Sequence, residues 1–167
     1  MKIPTFPISI LHDIGKVGIP DAILLKPGRL TPEEFEIIKG HSRLGGDAIH
    51  NVEAGMNARS FLTLGKQVAY SHHEQWNGKG YPDGTRGRDI PLSARIVALA
   101  DVYDALTSAR SYKPAFSHQK SREIILSDRG MYFDPDVVDA FIAKEAEFER
   151  IRREMDERNP SSPVNSD

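Results

Sequence analysis

The chain has 167 residues, 39% hydrophobic and 28% charged, with a net charge of −2 and no cysteine. That length and balance suit one soluble globular domain, and the missing thiols exclude disulfides, thiolate zinc sites and a Cys nucleophile. The charge gives no overall attraction to nucleic acid, and no apolar run approaches the ~20 residues of a membrane span.

The N-terminal MKIPTFPISIL is interrupted by Pro4 and Pro7 and carries no cleavage signature, so a cytoplasmic chain is expected. KPGRL (26–30) reads as a turn. Thr31 then serves as an N-cap, with Pro32 at the first helical position and Glu34 completing a capping box. Phe35, Ile38, Gly45, Ala48 and Ile49 recur at helical spacing, which predicts one helix over about 32–50.

A second helix is predicted over about 57–74, with Phe61, Leu64, Val68 and His72 on one stripe. Residues 75–90 form a loop rich in Gly, Asp and Asn. A third helix spans 91–108 behind Pro91, and a fourth 117–129 behind Ser117. The last starts at Asp134 and Pro135, and its densely charged distal part is expected to protrude into solvent. No segment alternates at period two for long, so the fold class is all-α, with residues 1–157 as the domain and 158–167 as a disordered tail.

Four of the six histidines fall where a core is expected. His41 lies on the buried stripe of its helix, His72 continues the Leu64–Val68 stripe, His73 extends the Ala69 line, and His12 is joined to Asp13. Each alone reads as a core histidine with a polar partner. Together they need four sets of such partners, which favours a shared metal. Asp101 and Asp104 lie one helical turn apart on one face. Buried, they would need Arg95 or Arg110, a helix end to cap, or a cation. Inward histidines and carboxylates on separate helices are how helical proteins build two-metal sites. Lys16, Arg110 and Lys113 are each ordinary surface charges taken singly, but beside a metal cluster they suit an anionic substrate.

HDIGK (12–16), HHEQWNGKGYPDG (72–84) and ARIVALADVYDALTSARSYK (94–113) resemble, in order, the signature blocks of the HD-GYP domain, a branch of the HD superfamily of metal-dependent phosphohydrolases. LLKPGRLTPEEFEIIKGHSRLG and FDPDVVDAF match its linking segments, so the resemblance covers about residues 10 to 143. It implies a helical HD-domain bundle and a bacterial phosphodiesterase that hydrolyses cyclic di-GMP to pGpG or onward to GMP.

By position, the resemblance makes His12, Asp13, His41, His72, His73 and Asp101 ligands of two or three divalent ions, iron or manganese. Asp13 would bridge two metals, with His41, His72 and His73 on one and His12 and Asp101 on the other. Such ions lower the pKa of a bridging water until hydroxide exists near neutral pH, and they neutralise charge on the phosphate. Lys16, Arg110 and Lys113 match positions that hold substrate phosphates, and Lys16 stands with Asp13 at the reacting centre.

Tyr81, in the Gly80-Tyr81-Pro82 motif, would contact a guanine, meet a GGDEF-type signalling partner, or brace the helix ends. Family members carry helices upstream of the HD pair that add a further ligand, whereas eleven residues precede His12 here. A shortened member or a piece of a longer protein is therefore expected, with exposed core surface that favours a homodimer. The alternatives to an active cyclic di-GMP phosphodiesterase are an interaction module without turnover and a hydrolase of another nucleotide.

Overall fold

Every regular element among the residues that the structure describes, 11–55, 62–108 and 114–158 of a computed structural model, is helical. In chain order these are α1 (Asp21–Leu24), α2 (Pro32–Lys39), α3 (His41–Ala54), α4 (Leu62–Ser71), α5 (Leu92–Thr107), α6 (His118–Ser127), α7 (Pro135–Ala143) and α8 (Glu145–Arg158). Short 3-10 turns cover Ile14–Gly18 and Gly87–Asp89. Extended pairing among the described residues is limited to an isolated bridge between Arg129 and Phe133, so the fold is all-α as expected.

The chain divides into two compact units, Met1–Val97 and Ala98–Asp167. In the first, α3 packs on α4 and on the 3-10 turn that follows Asp13. Ile19, Ile49, Val68, Ala69, Ile90 and Ala94 are its buried apolar residues. Gly15 makes the close approach to α3: a Cβ there would lie 1.9 Å from the His41 carbonyl oxygen and 2.5 Å from Gly45 N. Only hydrogen fits in that space, and the result is that the HD pair sits against the start of α3.

Helix α2 starts as its local chemistry dictates. Thr31 Oγ1 accepts from Glu34 N at 3.2 Å, and Glu34 Oε2 accepts from Thr31 N at 2.8 Å. The single helix expected over 32–50 is instead two. Gly40 N–H bonds back to Ile37 O at 3.1 Å, and His41 Nδ1 takes the carbonyl of Ile38 at 2.6 Å. The imidazole thus occupies an acceptor that a continuing helix would give to the backbone of residue 42. Phe35 and Ala48, placed on the buried stripe by periodicity, are exposed.

The second helix proves shorter than 57–74. It ends at Ser71, and His72 and His73 occupy the turn beyond it; residues 57–61 lie outside the described residues. In the second unit, Leu99, Tyr103, Ile125, Phe133, Val138 and Phe141 form a buried core. The last predicted helix is also divided. Lys144 leaves helical geometry at φ −119° and ψ 9°, and the chain restarts as α8. The break returns Phe148 to the core, its ring 4.9 Å from Phe141 and 5.3 Å from Tyr103 in edge-on contacts. Beyond it, Arg150–Glu154 and Arg153–Glu149 pairs face solvent, as the charge density implied. The N-terminal segment and the tail (1–10 and 159–167) lie outside the described residues, and no described helix is long and apolar enough to cross a membrane.

Candidate metal centre

His41, at the first position of α3, is 1% exposed, and His72, one residue past α4, is 2% exposed. His41 Nδ1 lies 2.6 Å from Ile38 O, and His72 Nδ1 lies 3.0 Å from Val68 O and 3.2 Å from Ala69 O. A carbonyl only accepts, so each Nδ1 carries the proton and each Nε2 presents a lone pair. Those two Nε2 atoms face one another at 3.3 Å. Asp13 Oδ1 lies 3.4 Å from the first and 4.0 Å from the second.

Three acceptors therefore converge with no proton among them. Burial lowers the pKa of both imidazoles, to about 4 for His72, so protonation is a costly way to relieve the contact. A divalent cation relieves it directly. Backbone carbonyls holding Nδ1–H are also the usual outer shell of metal-bound histidine. The residues fit a metal.

The remaining donors join this core. His41, His72 and His73 offer ring nitrogens within 4.8 Å of one another, and so do the donor atoms of His12, Asp13 and His72. The His12 and His72 rings stand edge to face at 5.0 Å. His73 is pushed down to about 2, first by burial and then by the neighbouring His72. Asp13 divides its oxygens: Oδ1 faces His41 and His72, while Oδ2 meets His12 Nε2 at 3.2 Å and Lys16 Nζ at 2.6 Å. Its burial favours the acid form, but hydrogen bonds from His12 and Lys16, with their charges, hold its carboxyl well below the usual carboxylate range.

The structure thus brings together His12, Asp13, His41, His72 and His73, with Lys16 on the Asp13 carboxylate. Asp101 belongs to the second unit, where its charge raises the pKa of Tyr132 after the larger effect of burial. Asp104 corrects the reading of a buried carboxylate pair: it is exposed and accepts from Ser108 Oγ at 3.4 Å, so the cost of burying its charge does not arise. Arg95 donates to Ile90 O at 2.9 Å and lies over Trp76. Arg110 and Lys113 lie outside the described residues.

The glycine-rich loop folds against the same histidines. Tyr81 stacks on His73, with ring centroids 4.6 Å apart and 28° between planes, and the Lys39 ammonium lies over the Tyr81 ring at 5.5 Å. Tyr81 N donates to His73 O at 3.2 Å. Gly80 makes that return tight, since a Cβ there would fall 2.3 Å from Gln75 N. Glu74, which sequence reasoning passed over, is 3% exposed, and its Oε1 accepts from Asp83 N at 2.8 Å. Burial raises its pKa against the opposing effect of backbone N–H groups at Asp83, Gly84 and Thr85. A lone glutamate beside two histidines signals nothing by itself; a glutamate with no cationic neighbour in sequence, entering a glycine-rich loop, was the available clue.

A family model described as HD domain matches residues 6–137. A cyclic di-GMP phosphodiesterase of Vibrio cholerae is 56% identical over 141 residues, covering 84% of this chain and 29% of that protein. The cyclic di-GMP phosphodiesterase response regulator RpfG of Xanthomonas campestris is 47% identical over 141 residues, covering 84% of this chain and 36% of its own length. Among solved structures, that of a cyclic GMP-AMP specific phosphodiesterase from V. cholerae aligns with a TM-score of 0.52 at 20% identity, covering 93% of this chain and 42% of that one, which bears on the fold alone. The chain spans about a third of the length of the curated relatives it matches.

Proposed function

Because the chain belongs to the HD-domain family, in its HD-GYP branch, we propose that it forms the catalytic domain of a metal-dependent cyclic di-GMP phosphodiesterase. The observation that carries this reading is the 3.3 Å contact between two Nε2 lone pairs beside the Asp13 carboxylate. Two or three divalent ions, iron or manganese, held by His12, Asp13, His41, His72 and His73, would supply an acidified water and neutralise charge on the phosphodiester. In this reading Asp13 bridges because its two oxygens face different histidines.

The residues around that centre have separable tasks. The carbonyls of Ile38, Val68 and Ala69 fix which imidazole nitrogen points inward. Lys16, half-exposed on Asp13 Oδ2, offers its ammonium to an incoming phosphate. Tyr81 serves first to back His73 and only at its edge to meet a guanine.

Elemental analysis and a cyclic di-GMP hydrolysis assay on one preparation test the reading, with Asp13→Ala in parallel. Bound metal and turnover to pGpG or GMP, both lost in the variant, are expected. Metal binding without turnover of any cyclic dinucleotide would favour an interaction module, and turnover that survives Asp13→Ala would exclude the bridging role.

A further inference from the structure

The glycine-rich loop is fastened at several points, one of them a buried carboxylate. Its residues return to the end of α4 through Tyr81 N to His73 O and Asp83 N to Glu74 Oε1, at 3.2 and 2.8 Å. Gly80 permits that return, and the outer side of the loop is tied to α3 by an Arg43–Asp83 ion pair. That outer pair is more than half exposed on both partners, so it contributes little. The Glu74 carboxylate is 3% exposed and accepts a backbone N–H that has no helix or sheet to serve. Removing the acceptor takes this partner from the Asp83 N–H and loosens the segment that carries Tyr81.

His73 depends on that segment. It is the histidine of the trio for which the structure supplies a ring stack where His41 and His72 have Nδ1 on backbone carbonyls. Tyr81 lies nearly parallel to its ring at 4.6 Å, and Phe35 meets the Tyr81 ring edge-on at 6.4 Å. One face of His73 is therefore backed by the loop, and its ring also meets those of His72 and His41. Glu74 is the side chain that ties the loop to the end of α4.

We infer that Glu74 is a positioning residue for the metal centre: by accepting the Asp83 amide it clamps the glycine-rich loop so that Tyr81 holds His73 in ligand geometry. The inference rests on the metal-centre reading above. Outer partners of metal ligands are worth about 10- to 100-fold in metal affinity when removed, which sets the size of the effect.

The test is Mn2+ titration of the metal-stripped full chain, followed by calorimetry, with thermal unfolding recorded on the same samples. Glu74→Leu, which removes the acceptor, and Tyr81→Ala, which removes the stack, should each weaken Mn2+ binding about 10- to 100-fold. Glu74→Gln keeps an acceptor oxygen and should stay within about threefold of wild type. Wild-type affinity in Glu74→Leu, or a loss in Glu74→Gln as large as in Glu74→Leu, would overturn the clamp. Should Glu74→Leu fail to fold, Tyr81→Ala decides: unchanged Mn2+ affinity with a lowered melting temperature would make the loop a structural brace only. No Mn2+ binding by wild type would remove the metal-centre reading itself, and this inference with it.

Discussion

His41 and His72 present Nε2 to Nε2 across 3.3 Å, each with its Nδ1 proton committed to a backbone carbonyl. The two rings come from the start of one helix and the end of the next, so the packing of α3 on α4 holds two like dipole ends together. A cation turns that repulsion into ligation.

Metal should therefore stabilise the fold as well as occupy it. At about 100 times its dissociation constant, Mn2+ should raise the unfolding free energy by about 2.7 kcal/mol, and a chelator should reverse this. His41→Ala or His72→Ala should abolish the increment, read by urea unfolding with and without Mn2+. An equal increment in either variant would contradict the assignment.

The metal-free protein should lose stability in mild acid. Burial holds His72 down to about 4, and burial with the His72 charge holds His73 to about 2. Unfolded imidazoles take up protons below about pH 6.5. Between these limits the unfolded state binds more protons, so stability is complete above about pH 6.5 and falls as pH drops toward 4. Asp13 acts in a separate, lower window: its depressed carboxyl adds stability above its ordinary 3.8 that is lost only below it. Urea unfolding at about pH 7 and about pH 4.5 measures the first effect. A flat profile would contradict the buried neutral histidines.

Gly15→Ala should damage both the fold and the site. Its Cβ would overlap the His41 carbonyl at 1.9 Å, and backbone cannot swing aside as a side chain does. A loss of about 1–3 kcal/mol or more is expected. Since the shift separates Asp13 from His41, Mn2+ affinity should fall in the protein that does fold. Denaturant unfolding and metal titration of one preparation check both.

Phe148→Ala should be felt in the second unit despite lying in the most charged helix. Its ring contacts Phe141 and Tyr103, and a cost of about 2 kcal/mol is expected, below the ~3–5 range for fully buried aromatic truncations because Phe148 is only partly buried. Met155→Ala, at a side chain 61% exposed one turn or more further on, should stay within about 0.5 kcal/mol of wild type. Equal effects would mean that α8 does protrude along its whole length.

What the sequence determined by itself was local or came in ordered blocks. The Thr31–Glu34 capping box needs four consecutive residues and forms as written. The Ser117 and Asp134 caps are equally local, each accepting a backbone N–H from its own first turn. Periodicity identified the helices and the all-α class, and the spaced HD and HH pairs pointed to one centre. Periodicity failed at Gly40 and Lys144, where the next residues are drawn out of register by contacts that a helical wheel does not contain: His41 takes a carbonyl, and Phe148 returns to an aromatic core.

Only the tertiary structure decided which atoms meet. Sequence adjacency does not say which imidazole nitrogen faces inward, because that depends on how the ring packs against carbonyls in the last turns of α2 and α4. It does not say that Asp13 divides its oxygens between two sets of partners, that Asp104 is exposed, or that Tyr81 lies on His73. The placements of Asp13 and Tyr81 follow from close approach at Gly15 and Gly80 and from a buried Glu74. Residue type supplies the donors, and packing across tens of residues sets their distances.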